Sequence, residues 1–143
     1  MRRVGALLFL FILAVSGLVG CNHSAELYAE VNPQSLNKKV KDFADILKDR
    51  NGLFLYTLVG EKNYLIVNYS NVNQGEEANF LESINAKVQD HTLIININVL
   101  GTQDYQDKRL GSMRVFSLAS ANKYEKIQIF KNGIETSFDA AGG

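Results

Sequence analysis

The sequence predicts a mainly β domain with one N-terminal helix, an α+β fold in which an antiparallel meander forms a small sandwich or barrel and the helix packs on one side. Apolar residues recur at three- and four-residue steps from Leu36 to Leu47. From Leu53 onward the period changes to two, in short runs rich in β-branched and aromatic residues. Serial hairpins at this spacing favour a meander.

One helix is expected after residue 31. Asn32 is a favourable N-cap, and Pro33 suits the first helical position because its missing N–H would have no partner there. Asn51-Gly52 favours a stop. An apolar stripe predicts that the helix covers a sheet, and it consists of Leu36, Val40, Phe43 and Leu47.

Seven strands are expected, separated by turn residues. They cover 53–59, 63–70, 78–88, 92–100, 112–119, 126–130 and 134–138. Asn132-Gly133 is the clearest hairpin signal, because both residues tolerate the positive φ angles of a type I′ turn. In the fourth strand, Leu93, Ile95, Ile97 and Val99 share one face, which predicts that this face is buried.

The first twenty residues have the pattern of a secretory signal peptide. Arg2 and Arg3 form a basic start, residues 4–15 are apolar, and small residues follow. The apolar stretch also approaches the length of a short membrane span, so a transmembrane anchor is the alternative.

The segment Leu18-Val19-Gly20-Cys21 resembles the lipobox of bacterial lipoproteins, which favours the signal peptide. In that family a diacylglycerol is attached to the cysteine thiol and a peptidase cuts before it, which implies that a lipidated Cys21 is the mature N-terminus. The resemblance implies a leader over 1–20, a lipid-anchored tether over 21–31 and one helix-plus-β-sandwich domain over 32–143. It also implies a position on the extracytoplasmic face of the cell membrane.

The length of the tether decides how far the domain stands from the lipid. An extended chain over residues 22–31 would reach roughly 35 Å at about 3.5 Å per residue. Leu27, Tyr28 and Val31 are apolar enough to dock on the domain instead, so both arrangements stay open.

Composition narrows the function classes. Cys21 is the only cysteine, so its lipidation would leave no disulfide, thiolate metal site or cysteine nucleophile. Two of the 15 basic residues leave with the leader while all 15 acidic residues stay, which gives a net charge of about −2. This near balance argues against nucleic acid as a partner and against electrostatic adhesion to anionic lipid.

No catalytic residue, metal site or cofactor is predicted. His23 lies beside the lipidated residue and His91 lies in an expected turn, and neither has an evident partner. Asp104 and Asp107 offer oxygen ligands suited to calcium, but the spacing does not match an EF-hand, so we expect ordinary loop acids. Common nucleophile and phosphate-loop motifs are missing from the sequence.

Two polar connections, 71–79 and 101–111, are the expected binding region, because scaffolds usually carry recognition on loops. Their phenol, amide and carboxylate groups suit an envelope protein, a peptide or a glycan. The candidate binding residues are Tyr69, Asn71, Asn73, Asp104, Tyr105 and Asp107.

A second resemblance concerns the domain. The segment from Tyr64 to Tyr69, a loop with Gly75 and paired strands ending in Leu93-Ile94-Ile95 are similar to the small secreted β-domains of the protease-complex accessory family PrcB. That family's Gly-Gly-Tyr turn is replaced here by Gly75-Glu76-Glu77-Ala78. The resemblance implies a non-catalytic domain that contacts another protein. Residues 124–133 also resemble the terminal hairpin of small lipoproteins of Bacillus-like bacteria.

Three functions remain open. The first is a membrane-anchored binding or accessory module of the cell envelope without a catalytic centre. The second is an envelope enzyme of low motif content, such as a peptidyl-prolyl isomerase or a hydrolase, which a cleft lined by two acids or by an acid and His91 would favour. The third is a structural or immunity-type lipoprotein.

Overall fold

The computed structural model describes residues 27–143, and the expected leader, Cys21 and His23 lie outside the described residues. The described chain contains one α-helix, α1 (Lys38–Ile46), and two 3₁₀ turns, Pro33–Ser35 and Ala121–Lys123. Its strands are β1 (Tyr28–Val31), β2 (Gly52–Thr57), β3 (Lys62–Asn68), β4 (Ala78–Gln89), β5 (Thr92–Thr102), β6 (Arg114–Ser120), β7 (Lys126–Lys131), β8 (Ile134–Thr136) and β9 (Ala140–Gly142).

These strands form two mixed sheets. Sheet A has the order β1-β6-β3-β2-β9, and sheet B has the order β4-β5-β7-β8. The pairs β2–β9 and β5–β7 are parallel, and the other pairs are antiparallel. All seven expected strands are confirmed in position, but the simple antiparallel meander is wrong because β6 crosses into sheet A and β7 returns beside β5. A closed barrel is also wrong, because both sheets keep free edges.

Strand β1 consists of the last four residues of the expected tether. It pairs with β6 in the register Tyr28↔Leu118 to Val31↔Val115. The Leu27 carbonyl extends this ladder by accepting a hydrogen bond from the Ala119 N–H, at 2.8 Å. Residues 27–31 therefore dock on the domain, and they do so by pairing with a strand of sheet A.

The two sheets share one apolar core. Leu65 and Phe116 of sheet A pack in the same cluster as Leu93, Ile95 and Ile97 of sheet B, and all five are at most 1% exposed. The face of β5 that the alternation predicts to be buried is therefore confirmed. Burial on this scale is the main stabilising term for a domain without disulfides.

The helix covers the other face of sheet A. Ala44 and Leu47 pack against Phe54, Ile66 and Val115, which alternate with the residues of the shared core along their strands. The apolar stripe of the helix thus contacts a sheet, as the sequence predicts.

The expected single helix is divided. Asn32 caps only the 3₁₀ turn, where its Oδ1 accepts from the Gln34 N–H at 2.9 Å. Leu36 is extended, and a second cap, Asn37, then starts α1 by accepting from the Val40 N–H at 3.0 Å. Two capping residues only five positions apart favour two short helical segments over one long one.

The strand register divides the domain into two ends, which we name the entry end and the loop end. The entry end holds Leu27, the β2–β3 turn over 58–61, the Asp90-His91 turn and the segment 120–125, because Ser120 pairs with Lys62 and the Glu125 N–H donates to the His91 carbonyl. The loop end holds the connections 69–77 and 103–113.

Buried Tyr124 fastens the connection between β6 and β7 to sheet A at the entry end. Its hydroxyl accepts from the Asn63 Nδ2 at 2.8 Å and donates to the Ala119 carbonyl at 3.1 Å. Burial raises the pKa of the Tyr124 phenol above its ordinary value, although the hydrogen bond with Asn63 opposes this shift. The phenol therefore stays neutral and remains a donor.

Asn68 ties the helix to sheet A near the loop end. Its Nδ2 lies within hydrogen-bonding distance of the carbonyls of Leu47, Lys48 and Arg50, at 3.1, 3.1 and 2.8 Å, and the residue is fully buried. Its Oδ1 accepts from the Ser70 N–H and hydroxyl. One amide thus fastens the turn that follows the helix to β3, and it adds to the hydrogen bonds that the Leu47 and Lys48 carbonyls accept from the Arg50 N–H and the Asn71 Nδ2.

Replacing Asn68 with Ala is expected to lower the free energy of unfolding by about 2–3 kcal/mol, because the Arg50 carbonyl loses its donor and the Ser70 N–H loses its acceptor. Urea denaturation followed by circular dichroism measures this change. Asn71→Ala is the matched control, since that partly exposed side chain makes one such bond, to the Lys48 carbonyl at 2.9 Å. Equal costs for both variants would contradict the assigned role of Asn68.

Candidate functional site

The loop end brings together the two connections that the sequence indicates as a binding region. The first follows β3 and leads into β4, and the second follows β5. They are neighbours because Ala78, the first residue of β4, pairs with Thr102, the last residue of β5. Five of the six candidate residues lie on or beside this surface: Tyr69, Asn73, Asp104, Tyr105 and Asp107.

Tyr105 joins the two connections. Its hydroxyl donates to the Glu76 carbonyl at 2.6 Å and accepts from the Gly75 N–H at 3.0 Å. The residue is nevertheless 45% exposed. Tyr105 therefore fixes the relative position of the loops and still offers part of its surface to a partner.

Local turns order each connection. In the first, the Asn73 Nδ2 donates to the Glu76 Oε2 at 2.9 Å, and the Glu76 N–H donates back to the Asn73 carbonyl. In the second, the Asp104 Oδ1 accepts from the Gln106 N–H at 2.9 Å. Asp104 is exposed, and a carboxylate has several lone pairs, so it can accept further hydrogen bonds from a bound partner.

Asp107 is engaged by a nearby arginine. Its carboxylate binds the Arg109 guanidinium in a bidentate pair, with Nη2–Oδ2 at 2.6 Å and Nε–Oδ1 at 3.0 Å, and it also accepts from the Arg109 backbone N–H. The guanidinium in turn lies 4.5 Å from the centroid of the Phe80 ring. This chain of contacts fixes the second connection onto the start of β4.

The same contacts shift the titration of Asp107. Hydrogen bonds from the Arg109 side chain and backbone lower the pKa of the Asp107 carboxyl from its ordinary 3.8 to about 2, and they raise the pKa of Arg109. Asp107 thus remains a carboxylate throughout the physiological pH range. It is not placed to exchange protons with a substrate near neutral pH.

Tyr69 lines a small cleft between the two sheets at the loop end. Its walls include Phe80, Arg109 and Arg114, and its volume is about 50 Å³. Burial, and then the negative charge of Asp139, raise the pKa of the Tyr69 phenol. The cleft admits water-sized groups but not a drug-sized ligand, which needs several hundred cubic ångströms.

Asn71 belongs to the scaffold. Its Nδ2 donates to the Lys48 carbonyl, its N–H donates to the Asn51 Oδ1, and its carbonyl accepts from the Asn51 Nδ2. These contacts fasten the start of the first connection to the segment that follows α1. They occupy the side-chain amide of a residue that the sequence indicates as a candidate for binding.

Three residues near the site were not indicated by the sequence. Phe80 and Arg109 meet only in the folded chain, and Arg114 forms a bidentate pair with Glu30, with both distances 2.8 Å. The one local signal was Asp107 two residues before Arg109, a spacing typical of an Asx turn.

Three wider grooves, of about 340, 420 and 390 Å³, lie on other surfaces. Among the residues that line these grooves and the small cleft, one has an acidic side chain, Asp45. His91 is exposed in the β4–β5 turn, where it and Asp90 both adopt positive φ. Within residues 27–143, no three His, Cys, Asp or Glu side chains converge in a way that could hold a metal ion.

Among the described residues, we find no helix with the length and apolar character that a membrane span requires.

The Asp107 carboxyl is expected to titrate with a pKa of about 2. Because the folded-state pKa lies below the ordinary 3.8, the contribution of this pair to stability is complete above 3.8 and is lost as the pH falls through 2. Carboxyl-carbon NMR measures this pKa. Arg109→Gln should return the pKa of Asp107 towards 3.8, whereas the control Lys108→Gln should leave this pKa near 2. A pKa near 3.8 for Asp107 in the unmodified protein would contradict the pairing.

No protein-family model, curated protein or solved structure matches the chain. The resemblances to lipoproteins and to PrcB domains therefore stay predictions.

Proposed function

We propose that this chain is a membrane-anchored extracytoplasmic lipoprotein whose domain is a non-catalytic binding or accessory module of the cell envelope. The lipobox-like segment ending at Cys21 supports the anchor. The shared core of the two sheets, with α1 on the outer face of sheet A, supports a β-sandwich with the helix on one side.

One observation carries the proposal, namely that the chain enters the domain at the end opposite the candidate loops. Strand β5 runs from the entry end to the loop end over 11 residues, which corresponds to about 35 Å. A lipid on Cys21 would therefore hold one end of the domain, while the Tyr105-linked connections remain accessible at the other.

The loop end favours a protein or peptide partner over a small molecule. Its polar groups lie on an open surface beside a cleft of only about 50 Å³, and the half-exposed Tyr105 offers an aromatic contact of the kind enriched in protein interfaces. A glycan would use the same hydrogen-bonding groups, and identifying the captured partner distinguishes the two.

The acidic side chains of the loop end favour binding over catalysis. Asp107 is paired with Arg109, Glu76 accepts from Asn73, and Asp104 supports its own turn. These carboxylates form hydrogen bonds that stabilise the connections. An enzyme such as an isomerase or hydrolase stays the alternative, and the grooves described above offer it no pair of acids.

Cys21→Ser is expected to abolish incorporation of an alkyne-labelled palmitate and to leave residues 1–20 attached, because the peptidase cuts before a lipidated cysteine. In the unmodified chain, mass spectrometry should find residues 1–20 removed and a lipid on the N-terminal cysteine. Ser24→Ala is the control and should be lipidated normally. An unmodified sulfur at position 21, or a retained leader, would contradict the anchor.

A photo-crosslinking residue at Asn73 is expected to capture a discrete partner in intact cells, whereas the same residue at Lys123, on the entry end, should not. Tyr105→Phe should reduce capture from position 73 several-fold, because the loss of the hydroxyl uncouples the two connections. Gel analysis and mass spectrometry identify the adduct. Absence of an adduct at position 73, or the same adduct from both positions, would contradict a binding surface at the loop end.

A further inference from the structure

We infer that the entry end is a lipid-facing surface and that a groove beside β1, lined by Lys62 and Lys123, contacts the phosphates of membrane phospholipids. This inference rests on the proposed lipidation of Cys21. It adds an orientation to the anchor: the domain stands with its entry end against the headgroups and its loop end away from the membrane.

The first support is the short reach of the chain before β1. Because Leu27 is already part of the sheet A ladder through the Ala119 N–H, only residues 22–26 lie between Cys21 and the folded domain. At about 3.5 Å per residue, this distance is at most about 20 Å. The roughly 35 Å tether that the sequence alone allows is thus shortened by the pairing of β1 with β6.

The second support is the position of the groove. It has a volume of about 420 Å³, and Tyr28 and Ala29 of β1 form one wall. The chain therefore enters the domain beside this groove, and any lipid on Cys21 lies within reach of it. No other described groove includes residues of β1.

The third support is the charge of the lining. Lys62 and Lys123 line the groove together with Ser117 and Ser120, and the described residues contribute no carboxylate to it. Neither lysine forms an ion pair with another described residue. Ammonium and hydroxyl donors suit a phosphate.

The other charges of the entry end explain why the tether is needed. Glu61, Asp90 and Glu125 lie close in sequence to the groove or to the neighbouring turn, and they offset the lysines. The surface as a whole is therefore not strongly basic, and attraction to lipid alone would be weak. The tether supplies the proximity, and the two lysines select which side of the domain faces the headgroups.

Val59 provides a position for measuring this orientation. It lies in the β2–β3 turn, just before Lys62, and is 96% exposed. Because lipidation would consume the single natural thiol, a cysteine introduced here would be the only one free for labelling. Asn73 at the loop end is the matched distal position.

The experiment uses the lipidated full-length product in phosphatidylcholine vesicles, with and without phosphatidylglycerol. A fluorophore on Val59→Cys or on Asn73→Cys is quenched by nitroxide-labelled headgroups. The inference predicts several-fold stronger quenching at position 59 than at position 73 in both kinds of vesicle. Equal quenching, or a difference confined to anionic vesicles, would overturn it.

Two double variants test the lysines. K62Q/K123Q should reduce the quenching at position 59 several-fold while the protein still floats with the vesicles, whereas K39Q/K108Q makes the same charge change elsewhere and should have no effect. Equal effects of the two would overturn the assigned groove. Failure of the unmodified protein to float would instead overturn the proposed lipid anchor, so the two failures are distinguishable.

Discussion

The pairing of β1 with β6 is the interaction on which the functional account depends. Its four residue pairs add an edge strand to sheet A, and the Leu27 carbonyl extends the ladder by one further hydrogen bond. The pairing places the start of the described chain at one end of the domain. It also sets the length of the chain between that end and Cys21, which determines how far the domain could stand from a lipid on that residue.

Side chains of three asparagines and one tyrosine add hydrogen bonds where backbone hydrogen bonding stops. Asn68 satisfies carbonyls after α1, and Tyr124 connects Asn63 to the Ala119 carbonyl. Asn132 continues the β5 ladder with its side chain, accepting from the Val99 N–H at 2.8 Å and donating to the Val99 carbonyl at 3.0 Å. A domain held in this way can present its loops with little loss of conformational freedom on binding.

Periodicity predicts local structure well in this chain and predicts topology poorly. The alternation of apolar residues in β5 correctly identified its buried face. Strand β1 was too short and too polar in its centre to be distinguished from a tether. The Ala-Ala-Gly segment of β9 has no strand preference. The crossing of β6 into sheet A depends on contacts distant in sequence. Loop composition located the candidate site, but the packing of Arg109 on Phe80 joins residues 29 positions apart, which no local pattern records.

Hydrogen–deuterium exchange of the domain, resolved by NMR at single amides, tests the pairing of β1 with β6 most directly. Ladder amides in β1 and the Ala119 amide are expected to exchange at rates set by opening of sheet A, far slower than amides in an unstructured chain. Residues 29 and 31 are the β1 residues whose amides face β6, and their exchange at the rate of a free peptide would contradict the pairing. Residues 22–31 would then all be available as a tether, and the proposed orientation of the domain would have no structural support.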